Sequence, residues 1–194
     1  VGKEDPILLF YTCAGRTSAR SREKDFVQCM AYSTDGGITF TKYENNPVVD
    51  TICPDNRDPK VVWCEELGKY VMALYLEGNR YTLLTSENLL DWVKIQEYEL
   101  EGDGECPDIY PLNADGDPNK RKWIISGASY HYIVGDFVDG RFVECQSMRC
   151  NNYGPHSYAA QTFFDDNEDE RIQIAWIRNT NFGSAYIKGQ MSVP

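Results

Sequence analysis

The chain has 194 residues, with 30 acidic against 19 basic side chains, a net charge of −11 and a pI near 4.6. That balance argues against a nucleic-acid backbone or an anionic membrane surface as partner, and no apolar run approaches the roughly 18 residues of a membrane span. Neutral ligands such as sugars stay open, and 42% hydrophobic with 13% aromatic residues suits a folded chain with a sizeable core.

Taken in chain order, the apolar runs are short and strand-like. They fall at residues 7–11, 26–32, 60–64, 70–76, 81–85, 123–126, 131–135, 141–144 and 172–177. Turn-forming residues separate them at 34–37, 66–69, 77–80 and 138–141, and residues 112–121 read as a polar surface loop. No segment sustains a 3.6-residue apolar period, so an all-β fold with very little helix is expected. No linker divides residues 1–194, which read as one β-propeller domain without an internal boundary.

A repeat selects the propeller among all-β architectures. Ser33, Asp35 and Phe40 follow one strand, and Ser86, Asn88 and Trp92 follow another, 53 residues later (Ser33 to Ser86). A weaker third copy covers 135–142. A period of about 50 residues with four strands per unit is that of propeller blades, so this length makes three to four of them. The Ser and Asp side chains are expected to accept turn N–H groups, with the aromatic packed between sheets. Asp35 is therefore given a turn role and no catalytic one.

Two carboxylate segments stand out. Arg57, Asp58 and Pro59 open one apolar strand, and Glu105, Cys106, Pro107 and Asp108 open another, with 47 residues from Asp58 to Glu105. Equivalent ends of successive blades face one channel, so the two acids can converge there. Paired carboxylates in a sugar pocket are the equipment of glycoside hydrolysis, with the acid's pKa raised by burial or a neighbouring carboxylate. On the residues alone, a turn ion pair at Arg57–Asp58 and a solvated acidic loop at 105–108 remain the competing readings.

Other chemistries find little support. The seven cysteines are odd in number and form no CxxC pair, and the two histidines, His131 and His156, leave no zinc-ligand spacing. No metal, cofactor or disulfide framework is expected, and the unpaired-looking thiols lean towards a reducing, cytoplasmic compartment. A Gly-x-Ser-x-Gly elbow and a phosphate-cradling glycine loop are both absent from the sequence.

The segments Arg57-Asp58-Pro59 and Glu105-Cys106-Pro107-Asp108 resemble the RDP and EC motifs of glycoside hydrolase family 32, which contains invertases, sucrose-phosphate hydrolases, inulinases and levanases. Phe10-Tyr11-Thr12, the run from Ala31 to Gly37, Asn46-Pro47-Val48, Tyr158-Ala159-Ala160-Gln161 and the end at 189–194 are similar to further family segments in the same order. The resemblance implies a five-bladed propeller, usually followed by a β-sandwich, and a retaining mechanism on β-fructosides, small or oligomeric. Glu105 would be the acid/base. Asp58 would stabilise the transition state and hold fructosyl hydroxyls, with Arg57, Cys106 and Tyr158 beside the substrate. The family's nucleophile is an Asp in an Asn-Asp-Pro-Asn segment of the first blade. No such segment precedes Tyr11, so that blade and the nucleophile are expected outside this chain. Asp117-Pro118-Asn119 has similar letters but stands in a late polar loop. Asn152 and His156 replace two carboxylates of many bacterial members, which makes His156 a candidate substrate contact. A non-catalytic sugar-binding propeller, a fructosyltransferase and a related arabinoside or xyloside enzyme are the alternatives.

Overall fold

The computed structural model describes residues 5–165, 170–178 and 189–192. Among these described residues, fourteen strands form four antiparallel sheets, each made of consecutive strands in sequence order. Strands β1 (Ile7–Cys13), β2 (Val27–Ser33) and β3 (Thr41–Lys42) form the first sheet. The second holds β4 (Arg57–Cys64), β5 (Lys69–Glu77), β6 (Arg80–Ser86) and β7 (Val93–Glu99). The third holds β8 (Asp108–Asn113), β9 (Arg121–Ser126), β10 (His131–Val138) and β11 (Arg141–Cys150). The fourth holds β12 (Ser157–Asp165), β13 (Glu170–Arg178) and β14 (Gly189–Met191). These are the blades that the 50-residue period requires. The only helix among the described residues is one 3-10 turn at Ala114–Gly116, inside the expected polar loop.

Burial explains why the strands read as they do. A blade lies between two others, so its central strand is covered on both faces. Accordingly Val71–Leu76 is buried without a break. Val71, Ala73, Tyr75, Tyr81 and Leu83 face the third sheet and meet Ile109, Trp123, Ile133, Phe137 and Phe142. Met72, Leu74 and Leu84 face the other way, towards Val49 and Phe10 of the first sheet region. Each fully buried side chain of this size contributes about 1.5–3 kcal/mol, so the interface of sheets two and three is a principal source of stability.

The Ser-Asp turns form as expected. Ser33 Oγ donates to Asp35 Oδ1 at 2.6 Å and accepts the Gly37 N–H, while Asp35 accepts the Thr39 N–H and hydroxyl at 3.0 and 2.6 Å. Ser86 and Asn88 repeat this, accepting the N–H groups of Leu89, Leu90 and Asp91. The aromatic behaves differently in the three copies. Trp92 packs edge-on against Phe10 at 6.0 Å, between sheets one and two, and Phe142 is buried between sheets two and three. Phe40 is instead 43% exposed, since the first sheet leaves one face open. The third copy also differs in its backbone: Gly135 and Asp136 are inside β10, and the turn is only Asp139 and Gly140, both with positive φ. Gly135 is required by close strand packing, for a Cβ there would lie 2.3 Å from the Val143 carbonyl oxygen.

Candidate active site

The first strands of sheets two, three and four lie side by side, and each begins with a break in regular geometry. Asp58 (φ 62°), Glu105 (φ 64°), Cys106 (φ 40°) and Ala159 (φ 53°) are all left-handed. The ladder between β4 and β5 skips from Arg57 to Lys60, and that between β12 and β13 skips from Tyr158 to Gln161. These are bulges, which cost conformational energy and re-aim side chains. Their effect here is to bring Arg57, Asp58, Glu105 and Tyr158 from three sheets into one cluster.

Glu105 is held on both oxygens. Arg57 Nη2 donates to Oε1 at 2.6 Å, and the Tyr158 hydroxyl donates to Oε2 at 2.5 Å. The Arg57 guanidinium lies 4.5 Å over the Tyr75 ring, and its Nε is 3.8 Å from Asp58. Asp58 in turn accepts the Cys106 N–H at 3.0 Å, while its own N–H donates to Thr12 Oγ1. The two acidic segments are thus joined directly across the blade boundary. Arg178, at the end of β13, stacks 4.0 Å over the Tyr158 ring.

Neighbouring groups fix the backbone under Glu105. Its carbonyl accepts the Tyr81 hydroxyl and the Ala128 N–H. Asp103 is buried and accepts the N–H groups of Gly104, Ser129 and His131, which lays the 127–131 turn against the 103–106 segment. Gly127 is needed for that approach, because a Cβ there would come within 2.6 Å of the Asp103 carboxyl carbon.

The electrostatics reverse one expectation. The Tyr158 and Arg57 donors hold the Glu105 carboxyl below the usual carboxylate range, outweighing its desolvation, and Arg178 adds to the effect. The sequence had suggested a raised value from burial or a second carboxylate. In this chain the nearest partners are a phenol and two cations, all of which favour the anion. Cys106 is pushed up to about 12 by burial and then by the Asp58 and Glu105 carboxylates, so it is a neutral thiol. Both its N–H and its thiol address Asp58.

The cluster thus gathers Arg57, Asp58, Glu105, Cys106 and Tyr158. His156 stands exposed on the loop before β12, where its carbonyl accepts the Arg178 N–H, and no side-chain hydrogen bond joins it to the cluster among the described residues. Asn152 folds its own loop, donating to the Ser157 carbonyl and accepting the Gly154 N–H. Asp117 accepts the N–H and side-chain amide of Asn119 in the exposed loop, as expected of a turn residue. Tyr75 and Arg178 were not singled out in the sequence, and Thr12 was named only within a family-like strand, not as a site residue. Each lies in an ordinary apolar run or at its end, and only the crossing of blades brings it to the site. A cavity of about 770 Å³ lies further along the inner strands, against Lys60–Trp63, Pro111–Asn113 and Thr162–Phe164, and does not include Glu105 or Asp58. All seven cysteines are free thiols, and the described residues contain no group of His, Cys, Asp and Glu placed to hold a metal ion.

Comparison with known proteins follows the same outline. The model of the glycosyl hydrolases family 32 N-terminal domain matches residues 1–194. The levanase of Bacillus subtilis (strain 168) is 35% identical over 205 residues, covering 94% of this chain and 29% of that protein. The exo-inulinase from Aspergillus awamori superimposes with a TM-score of 0.77 at 25% identity, over 97% of this chain and 45% of that one. The fructofuranosidase from Schwanniomyces occidentalis complexed with fructose superimposes with a TM-score of 0.74 at 30% identity, over 87% and 36%. The chain therefore spans less than half the length of each of these relatives.

Proposed function

The chain belongs to glycosyl hydrolase family 32, and from that premise we propose that the protein containing it hydrolyses β-fructofuranosidic bonds by a retaining, double-displacement reaction. The observation that carries the reading is Glu105, doubly hydrogen-bonded by Arg57 and Tyr158 and tied through Cys106 to Asp58. Glu105 acts as acid/base: it protonates the leaving oxygen and then takes a proton from the incoming water. Asp58 supports the fructosyl hydroxyls and the developing positive charge of the ring. The nucleophilic carboxylate is supplied from outside these residues.

The lowered pKa of Glu105 fits the second half of that cycle. A carboxylate held as the anion is ready to act as base. To act first as acid it must gain a proton, and the arrival of substrate and of the nucleophile's negative charge both favour that by displacing or offsetting the two donors. Arg57 is then the switch contact, since it bridges Glu105 and Asp58 and leans on Tyr75.

The relatives named levanase, exo-inulinase and fructofuranosidase make fructose polymers and sucrose the substrates to offer. Free fructose released by the full-length protein is the readout, with Glu105→Gln as control. The substitution is expected to lower kcat by about 10²- to 10⁴-fold while leaving the fold intact. Unchanged rates in a folded Glu105→Gln protein would remove Glu105 from the mechanism. Absence of release from sucrose, sucrose phosphate, inulin and levan alike would favour a binding propeller.

A further inference from the structure

The third sheet has two unlike faces. One sends Ile109, Trp123, Ile125, Ile133, Phe137 and Phe142 into the apolar core shared with sheet two. The alternate residues of the same strands face sheet four. Register places Tyr110 beside Ile124, Ile124 beside Val134, and Ser126 beside Tyr132, with Gln146 opposite Val134 on β11. This second row is rich in phenol, hydroxyl and carboxamide groups at a blade interface, where apolar packing is the stable choice.

These groups border a cleft of about 320 Å³. Gln173 of β13 closes it from sheet four, and Tyr130 and Asn151 border it from the loops. Tyr110 is 8% exposed and borders the cleft, and its hydroxyl makes no hydrogen bond to the described residues. The side chains of Tyr132, Gln146 and Gln173 likewise form no hydrogen bond among the described residues. Tyr132 and Gln146 are half-buried and Gln173 is exposed, so these uncommitted donors and acceptors stay open to a ligand in the cleft.

We propose that the cleft between the third and fourth sheets is a second, non-catalytic carbohydrate site. Its lining contains no Asp, Glu, Lys or Arg, which selects a neutral ligand. Phenols and carboxamides both donate and accept, as sugar hydroxyls do, and the tyrosine rings offer flat apolar faces to the C–H side of a sugar ring. The volume lies at the low end of small-molecule sites, which run from about 300 to 1,000 Å³, and suits about one or two sugar units. The Tyr130 hydroxyl is hydrogen-bonded to the hydroxyl of Ser157, whose neighbour Tyr158 holds Glu105. The cleft is therefore beside the catalytic cluster without sharing its residues. Resting on the proposed function, the ligand is a stretch of β-fructan whose end is being processed at Glu105.

The test uses full-length protein in gels containing levan or inulin, with turnover of sucrose and of the polymer measured in parallel. The Gln146→Leu/Gln173→Leu variant is expected to lose retardation, with apparent affinity for the polymer about tenfold weaker, and to lose polymer turnover at low polymer concentration. Sucrose turnover should stay within about twofold of wild type. Tyr132→Phe, which removes one hydroxyl and little volume, is expected to show a smaller loss of the same kind, and it keeps the test decisive should the double variant fold poorly. Wild-type protein that neither polymer retards would overturn the proposal, as would variants that are retarded like wild type or that lose sucrose and polymer turnover equally. Wild-type protein that is retarded through Gln146 and Gln173 but releases no fructose would keep the cleft and remove the hydrolase reading.

Discussion

At the mouth of the inner strands, Arg57, Asp58, Glu105 and Tyr158 face an opening, whereas a few residues along the same strands Asp108 is buried between Lys60 and Thr162. Both sets join β4, β8 and β12. Asp108 is fully buried and fully committed: Lys60 Nζ lies 3.1 Å from one oxygen, the Ile109 N–H donates to that same oxygen, and the Thr162 N–H donates to the other at 2.7 Å. Lys60 also donates to the Thr162 carbonyl at 2.6 Å. Glu105, three residues earlier, has a side chain 41% exposed and is bound by side chains alone, which can move away. A carboxylate bound by backbone groups holds the fold; one bound by side chains at an opening can exchange them for substrate.

The comparison is broken most severely at Asp108. Asp108→Ala leaves Lys60 near the channel without its anion and two N–H groups unpaired. It is expected to cost about 3–5 kcal/mol, seen as a fall in Tm of about 10 °C or more. A Tm close to wild type would show that the inner strands do not depend on this pair.

Next in size are changes to the donors on Glu105. Tyr158→Phe removes the larger influence and Arg178→Met a smaller one, so both should raise the Glu105 pKa, in that order, with Arg178→Lys closer to wild type. The shift is read by carbon NMR titration of the Glu105 carboxyl and by the matching limb of the pH–rate profile. Because the folded pKa is lowered, the stabilisation from Glu105 is present above its unfolded value of about 4.3 and is lost as pH falls through the lowered folded value. The variants should therefore lose part of that acid-side stability window. An unmoved titration in Tyr158→Phe would contradict the hydrogen-bond assignment.

The smallest effect is expected at Asp35, whose pKa is lowered to about 2 by the Ser33 hydroxyl and then by Thr39. Asp35→Asn should lower Tm by no more than about 2 °C at neutral pH. That difference should be present above about pH 3.9 and close as pH falls through about 2. A large loss of activity would give Asp35 a role beyond the turn.

Much of this was legible in the chain itself, because it depends on neighbours in sequence. Strand alternation, the Ser-to-Ser repeat and the turn chemistry of Ser33, Asp35, Ser86 and Asn88 are local, and the structure follows them. The opening of adjacent inner strands by Asp58 and Glu105 could be read from spacing alone. Residues such as Phe40 and Gly135 departed from the local pattern because packing set their fate: one lies on an open face, and the other is pressed against β11.

What the sequence determined by itself was an all-β chain of repeating blades with two acidic segments in equivalent places. Only the tertiary structure decided what surrounds each acid. Arg57 and Tyr158 reach Glu105 from other sheets, across separations of 48 and 53 positions in the chain, and Arg178 stacks on Tyr158 behind it. A carboxyl's pKa is set by charges and donors within a few ångströms, and in a propeller those come from the next blade.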